Sequence, residues 1–272
     1  MAGRLYVVGT PIGNLEDFSQ RAVRILGEVD FIAAEDTRVT LKLLNHFGIK
    51  KELVSYFEHN KAQKGEMLIN RILSGENAAI VTDAGMPCIS DPGQELVDSA
   101  HKNGIIVESV PGPSALVTAL AISGVASGRF CFEGFLSVNK ISRKEHLSSI
   151  KNEPRTLIFY EAPHKLQKTL ADMLDVLGDR NIALCKELTK LHETVVRTTF
   201  SEALEAFTQS PPKGEYVLII EGAKETRTSY TLEDAVYIAK KLADSGMGVS
   251  AAAKEAAAQT GIKKGDIYKN IL

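Results

Sequence analysis

The segment LYVVGTPIGNLEDF, residues 5–18, places a strand-like apolar run directly before a short loop that contains Gly9, Pro11 and Gly13. Two later segments repeat this arrangement, VTDAGMPCISDPG at 81–93 and VPGPSA at 110–115. Between them, strand-like runs alternate with helix-like ones, which is the pattern of a mainly parallel sheet covered by helices. The carboxyl ends of parallel strands share one edge, where ligands bind, so we expect the three loops to lie there together.

Length and composition limit the class of protein. The chain has 272 residues, 44% hydrophobic and 24% charged, which is typical of a globular protein with a sizeable core. It contains no apolar run long enough to span a bilayer and no signal-peptide core, so we expect a cytoplasmic protein without membrane contact. Three widely spaced cysteines predict neither a disulfide framework nor a zinc site, and the scattered histidines lack metal-ligand spacing. We therefore expect no metal.

The formal net charge of −2 argues against non-specific coating of nucleic acid, although a local basic surface remains compatible with it. The pattern predicts an N-terminal α/β domain at 1–116 and a second α/β domain with hairpins at 117–222. A polar linker is predicted at 223–230 and a helical tail at 231–272. Ser250 is the predicted N-cap of a tail helix, and the last two helices suggest a helix-turn-helix.

The composition of the three loops indicates the kind of ligand. A phosphate-binding loop needs a run of backbone N–H donors, usually with a lysine. These loops contain five prolines, which lack that donor, and no Lys or Arg, whereas Asp83 and Asp91 add negative charge. They suit a cationic or neutral ligand such as the sulfonium compound S-adenosylmethionine. Alternatively, the first loop is only a turn, and Ser114 in the third only begins a helix.

Seven motifs together resemble those of a known family. They are GTPIGNLEDFSQRA, AAEDTR, VTDAGMPCISDPG, VPGPSA, EGFL, YEAPH and KELTK, and they follow one another in the family's order over nearly the whole chain. The resemblance is to the ribosomal RNA small-subunit methyltransferase I family, a branch of the tetrapyrrole methylase superfamily. The segment AGMP stands where many tetrapyrrole enzymes carry Gly-Asp-Pro, and this difference favours the ribosomal branch.

The resemblance implies two α/β domains with the cofactor cleft between them, and commonly a homodimer. It implies S-adenosylmethionine-dependent methylation of a cytidine ribose 2′-hydroxyl in the decoding region of 16S rRNA, within the small ribosomal subunit and without DNA as a partner. The cofactor-binding positions that it implies are Pro11, Asp83, Gly85, Met86, Ile89, Ser114, Ala115, Glu161, Leu188 and Gly214.

Methyl transfer from a sulfonium depends mainly on alignment, although a general base would help to remove the hydroxyl proton. Candidates are Glu35 and Asp36 in AAEDTR and Glu187 in KELTK. Each has a neighbouring cation, so a structural ion pair is an equally good interpretation.

Substrate RNA needs local cations. The candidates for substrate binding are Arg38, Lys186, Lys190, Lys263 and Lys264. Lys42 lies one helical turn from Arg38, and Lys140, Arg143 and Lys144 form a further cluster in a predicted loop or helix start between the domains. A solvated charged face is the alternative interpretation of such clusters.

Two other functions remain open at this point. The same fold could methylate a tetrapyrrole-like small molecule, although the tail with its basic positions would then have no evident use. A non-catalytic RNA-binding assembly protein could also retain the fold.

Overall fold

The computed structural model describes residues 1–224 and 230–271. Most of the predicted linker at 223–230 lies outside the described residues. The described chain divides into two units, 1–223 and 224–272, and each is treated by itself below.

The first 123 residues build a five-stranded parallel sheet with helices between the strands. Its order is β3-β2-β4-β1-β5, so the predicted parallel arrangement is confirmed. The strands are β1 Arg4–Val8, β2 Phe31–Ala34, β3 Glu52–Ser55, β4 Ala78–Val81 and β5 Ile106–Val110. The helices are α1 Gln20–Glu28, α2 Thr37–His46, α3 Lys61–Leu73, α4 Gln94–Lys102 and α5 Ala115–Ser123.

The apolar runs FIAA and AAIV explain why β2 and β4 lie inside this sheet. Every residue of both strands is buried, because helices cover both faces. Local signals set the helix starts: the Ser19 hydroxyl caps α1 by accepting from the Ala22 N–H at 3.1 Å. The sheet is therefore a rigid support for the loops at its carboxyl edge.

A second five-stranded sheet follows, with the order β6-β7-β10-β8-β9. Its strands are β6 Phe130–Phe135, β7 Thr156–Glu161, β8 Asn181–Lys186, β9 Thr194–Thr199 and β10 Tyr216–Ile220. Its helices are α6 Lys140–Ser149, α7 Pro163–Leu177 and α8 Phe200–Gln209. β6 is parallel to β7, whereas β10 is antiparallel to β7 and β8, and β8 and β9 form an antiparallel pair. The expected mixture of crossovers and antiparallel pairs is thus present.

Helix α5 links the two sheets. Leu116, Ala119 and Leu120 pack against the buried face of the second sheet around Ile158 and Val217. The predicted domain boundary at 116/117 therefore falls inside a helix whose packing belongs to the second sheet.

The second unit contains three helices, α9 Leu232–Asp244, α10 Val249–Thr260 and α11 Lys264–Ile271. This agrees with the expected helical tail. Small buried alanines and Ile267 form its core, so the helices approach closely. Ser250 is not the N-cap of α10: the helix begins earlier, with Gly248 as N-cap, whose carbonyl accepts from the Ala252 N–H at 2.9 Å.

Candidate active site

The three proline-bearing loops meet at one edge of the first sheet, as predicted. Their strands β4, β1 and β5 are neighbours and run in the same direction. Thr10 and Gly85 exchange backbone hydrogen bonds of 2.9 and 3.1 Å, and the Gly9 N–H donates to the Val110 carbonyl at 3.1 Å. These bonds hold the first loop between the other two.

Close contact between their backbones explains why positions 9 and 112 are both glycine. A Cβ placed on Gly9 would lie 2.7 Å from Gly112 Cα and 2.6 Å from Met86 Sδ. The middle loop takes a constrained path, with positive φ angles of 90° at Gly85 and 70° at Cys88. The loops therefore form a fixed surface rather than flexible connections.

A cavity of about 480 Å³ lies between this loop surface and the second sheet. We call it the central cavity. Its volume is within the usual range for a site that binds a small organic molecule. Eight of the ten predicted cofactor positions line it: Asp83, Gly85, Met86, Ile89, Ser114, Ala115, Glu161 and Leu188. Pro11 instead lines a neighbouring groove, and Gly214 stands one residue before Glu215, which does line the cavity.

The second sheet contributes an aromatic wall that sequence reasoning did not identify residue by residue. Tyr160 packs edge-on against Phe132 and Phe135, at centroid distances of 5.0 and 5.4 Å. Its hydroxyl accepts from the Leu116 N–H at 3.1 Å and so ties β7 to α5. Burial raises the pKa of the Tyr160 phenol. The sequence signal for this wall was the motif YEAPH, which contains Tyr160 but does not show that its ring lines the cavity.

Carboxyl groups dominate the electrostatics of the central cavity. Glu35, Asp83 and Asp91 line it on the first-sheet side, and among the described lining residues there is no Lys, Arg or His. Burial raises the pKa of Asp83 and of Asp91, and the charge of Glu35 raises both further. This wall disfavours an anionic ligand and favours a cation.

Hydrogen bonds orient these acids. The Thr82 hydroxyl donates to Glu35 Oε2 at 2.6 Å, and the Asp36 N–H donates to Asp83 Oδ1 at 3.1 Å. Across the cavity, Glu161 is 3% exposed and accepts from the Ala162 N–H at 2.9 Å and the Thr169 hydroxyl at 2.5 Å. The Glu161 carboxylate thus has internal partners, whereas the first-sheet acids face the cavity with few.

Comparison with known proteins identifies the family. A family model described as Tetrapyrrole (Corrin/Porphyrin) Methylases matches residues 4–204. A protein from Halalkalibacterium halodurans named "Ribosomal RNA small subunit methyltransferase I" is 48% identical over 271 residues, covering 98% of this chain and 93% of that protein. A Synechocystis protein of the same name is 45% identical, with 98% and 96% covered.

The chain belongs to the ribosomal RNA small subunit methyltransferase I family. The resemblance in the sequence is thereby confirmed. A crystal structure of uroporphyrin-III C-methyltransferase from Thermus thermophilus complexed with S-adenosylhomocysteine covers 79% of this chain and 97% of its own, with a TM-score of 0.56 and 22% identity. That similarity supports the tetrapyrrole-methylase-like fold.

The family uses S-adenosylmethionine, and the central cavity fits it. The cation-free acidic wall suits a sulfonium, and Gly85 of the middle loop lines the cavity with a positive φ of 90°. Asp83, Met86 and Ile89 on one side and Ala115 and Leu188 on the other are the residues that would hold the cofactor.

Two of the three predicted base candidates, Asp36 and Glu187, have structural partners and lie outside the cavity that Glu35 lines. Asp36 caps α2, accepting from the Arg38 N–H at 2.8 Å and from its guanidinium at 2.6 Å, and these bonds lower the pKa of Asp36 to about 2. Glu187 accepts from the Glu215 N–H at 2.9 Å and from Lys190 at 3.1 Å, and these bonds lower its pKa too. Neither residue lines the central cavity. Their catalytic role stays a prediction.

The predicted substrate cations belong to both units. In residues 1–223, Arg38 is at the start of α2 with 87% of its side chain exposed, Lys186 ends β8, and Lys190 pairs with Glu215 at 2.7 Å and lies against Gly13 of the first loop. Lys263 and Lys264 are exposed in the second unit. Substrate binding by these five residues stays a prediction.

The cluster around Arg143 lies at a helix start, one of its two predicted placements: Lys140 is the first residue of α6, and Arg143 and Lys144 follow within its first two turns. Arg143 is buried and donates to Asp172 at 2.8 and 2.6 Å, and Lys144 pairs with Asp175 at 2.6 Å. These cations hold α6 on α7 and are committed to internal partners.

Two negative findings concern residues 1–224 and 230–271 alone. No helix there is long and apolar enough to cross a bilayer, and no group of His, Cys, Asp and Glu side chains forms a metal site.

Proposed function

We propose that this protein methylates the ribose 2′-hydroxyl of a cytidine in 16S rRNA of the small ribosomal subunit, with S-adenosylmethionine as the methyl donor. The observation that carries the proposal is the acid-lined, cation-free central cavity at the edge where the three loops meet. The family assignment supplies the class of substrate, because the relatives at 45–48% identity are named as enzymes of small-subunit rRNA.

When bound, the cofactor supplies an electrophilic methyl carbon on a positively charged sulfur. The chain's own contribution is first to hold the ribose oxygen in line with that carbon, and the rigid loop surface suits this task. The acids of the first-sheet wall favour positive charge in the cavity. One of them also takes the proton that leaves the 2′-hydroxyl.

Asp83 is the best placed of these acids to act as that base. It lines both the central cavity and the groove beside it, and the Asp36 N–H holds its Oδ1, which leaves Oδ2 for a ligand. The raised pKa of Asp83 makes it a stronger base than Asp36 or Glu187, whose pKa values are lowered. We propose Asp83 in place of Asp36 and Glu187; Glu35, the third candidate from the sequence, also lines the cavity, with its Oε2 held by the Thr82 hydroxyl.

Transfer of tritiated methyl groups to subunits that lack the modification tests the proposal. After digestion to nucleosides, we expect the label in 2′-O-methylcytidine, with no transfer to a DNA copy of the target, which lacks the hydroxyl. Label on a base would contradict the proposed chemistry.

Two alternatives have their own discriminating results. The uroporphyrin-III methyltransferase similarity is at 22% identity and supports only the fold, but it makes a small macrocycle the second candidate substrate. Transfer to such a macrocycle at a rate equal to that on subunits would favour it. A non-catalytic assembly protein would bind subunits yet show no calorimetric binding of S-adenosylmethionine.

We also propose a homodimer, as the family resemblance implies. Val117 and Ile122 of α5 are 55% and 44% exposed, and a partner copy would cover them. Sedimentation equilibrium of the full chain tests this, with a monomer at micromolar concentration as the contrary result.

A further inference from the structure

A groove of about 370 Å³ adjoins the central cavity on the α2 side. Pro11 and Leu15 of the first loop form one wall, and Val39 and Leu43 of α2 form the other. We call it the α2 groove. The cofactor assignment leaves it unused, although it contains Pro11, which the family resemblance singled out.

The walls of the α2 groove are apolar and open to solvent. Leu15 is 42% exposed and Val39 is 38% exposed, and they face the groove from its two walls. Two facing apolar walls suit a flat, weakly polar group. A nucleobase that has left its stack is such a group, and proteins that bind single-stranded RNA hold bases against apolar and aromatic surfaces.

One polar atom beside the groove lacks a partner. Thr40 is among the residues that line the groove and is 3% exposed, and its hydroxyl makes no hydrogen bond to any described residue. Buried hydroxyls are nearly always hydrogen-bonded in folded proteins. A donor or acceptor of a ligand would satisfy this oxygen after a small shift of the groove wall that now covers it.

The rim of the groove is basic. Lys42 lies one helical turn after Arg38, and both side chains are exposed. Lys42 makes no ion pair with a described residue, and His46 lies one turn further along the same helix. Phosphates attached to a base in the groove would meet the Lys42 ammonium, one helical turn after the Arg38 guanidinium that pairs with Asp36.

Continuity with the central cavity gives the groove its role. Thr82 and Asp83 line both spaces, so they form the wall that the two share. A nucleotide with its base between Leu15 and Val39 and its phosphate near Lys42 would bring its ribose to this wall. The ribose oxygen would then lie next to Asp83 and to the cavity that holds the methyl donor.

A second neighbouring pocket is less suitable for RNA. It lies beside Phe57 and His59 and shares Glu35 and Asp91 with the central cavity, but its wall also carries Glu58 and Glu95. Lys61 is already paired with both of these glutamates. Its acidic character opposes a phosphate backbone.

We propose that the α2 groove binds the target nucleotide, with the base between the first loop and α2 and the phosphate on Lys42. This inference rests on the proposed RNA methylation and adds the subsite that positions the substrate. The methyl transfer itself is the one described above: a bond forms between the ribose 2′-oxygen and the methyl carbon, the carbon–sulfur bond breaks with its electrons left on sulfur, and Asp83 takes the hydroxyl proton.

The test uses steady-state methylation of modification-free subunits by the full chain. We expect Val39→Ala and Lys42→Gln each to raise KM for subunits about fivefold or more, and Lys42→Gln to reduce the slope of log affinity against log salt by about one. Thr40→Val, which keeps the shape and removes the hydroxyl, should also raise KM. Calorimetric affinity for S-adenosylmethionine should stay within about twofold of wild type for all three, because their effect is on substrate positioning.

Lys50→Gln is the matched control, since Lys50 is exposed just beyond α2 and lies outside the groove. Groove variants that behave like Lys50→Gln would overturn the assignment of the groove. If Phe57→Ala alone then raised KM, the nucleotide would belong in the acidic pocket. A wild-type protein that binds cofactor but methylates no subunit would instead overturn the proposed function, and the groove assignment with it.

Discussion

Replacing Gly9 with alanine should destabilise the protein by about 2–4 kcal/mol and weaken cofactor binding. The new Cβ would lie 2.7 Å from Gly112 Cα, so the two loops must separate by roughly 0.7 Å to reach the 3.4 Å of an ordinary contact. Met86 Sδ, at 2.6 Å, can swing aside, but the Gly112 backbone cannot. Such overpacking costs about 1–3 kcal/mol, and loss of the 3.1 Å bond from Gly9 to Val110 adds about 1 kcal/mol.

Urea unfolding followed by far-ultraviolet circular dichroism measures this change, since the chain has no tryptophan to report by fluorescence. Gly27→Ala is the control: Gly27 lies in α1 and a Cβ there would meet nothing within 4 Å. Because alanine favours a helix, this control should stabilise the protein by up to about 1 kcal/mol. A Gly9→Ala protein with wild-type stability and wild-type cofactor affinity would show that close approach of the loops is not what shapes the cavity.

Three further predictions concern separate parts of the molecule. Arg143→Met should cost about 3 kcal/mol in urea unfolding, because it leaves the buried Asp172 carboxylate with only Lys144, at 3.9 Å, in place of two short bonds from Arg143. Asp91→Asn should be more stable than wild type at neutral pH, and the difference should shrink as pH falls. The raised pKa of Asp91 means that the folded wild type takes up a proton before the unfolded chain does, so wild-type stability rises as pH falls from the folded-state pKa towards 3.8. Charge reversal of Lys263 and Lys264 together should weaken subunit binding without changing calorimetric cofactor affinity.

Each of these predictions has a control on the same molecule. Arg24→Met removes an exposed pair with Glu28 in α1 and should change stability by less than about 1 kcal/mol, so an equal loss at Arg143 and Arg24 would contradict the importance of burial. A constant stability difference for Asp91→Asn between pH 4 and pH 8 would show that burial does not raise the pKa of Asp91. Charge reversal of Lys240 and Lys241 on α9 controls for total charge, and an equal effect there would remove the specific role of Lys263 and Lys264.

The sequence predicted the strands of the first sheet but not the order in which they pair. The continuous apolar runs of β2 and β4 predict strands buried on both faces, and this is a property of local composition. The order β3-β2-β4-β1-β5 depends on pairings between distant segments, which periodicity does not contain. The same holds for β6, which joins β7 in parallel with an irregularity between Phe132 and Gly134 while the other pairs of that sheet are antiparallel.

The candidate site was likewise predictable from the sequence only in part. The prolines of the three loops and the two acids of the middle loop are local features, and they were enough to predict a cationic or neutral ligand at one edge. The roles of Asp36 and Asp83 were not separable in this way, because each is an aspartate at the end of a strand. Only the structure shows that Asp36 accepts the α2 cap and the Arg38 guanidinium while Asp83 lines the central cavity. The ion pair of Arg143 was not predictable for the same reason: its partner Asp172 is on the next helix.

Repulsion among the acids of the cavity wall is unfavourable, and a bound cationic cofactor would reduce it. Glu35, Asp83 and Asp91 share a wall without a described Lys, Arg or His, and the raised pKa values of the two aspartates show that their charged forms are disfavoured there. A cationic ligand relieves this repulsion, whereas a neutral ligand of the same shape does not. S-adenosylmethionine should therefore bind more tightly than the neutral S-adenosylhomocysteine, and Asp91→Asn should reduce that preference by about 1–3 kcal/mol, the attraction of two charges roughly 5–10 Å apart at an effective dielectric of about 20. An unchanged preference, measured by calorimetry with both ligands, would mean that shape rather than charge selects the cofactor.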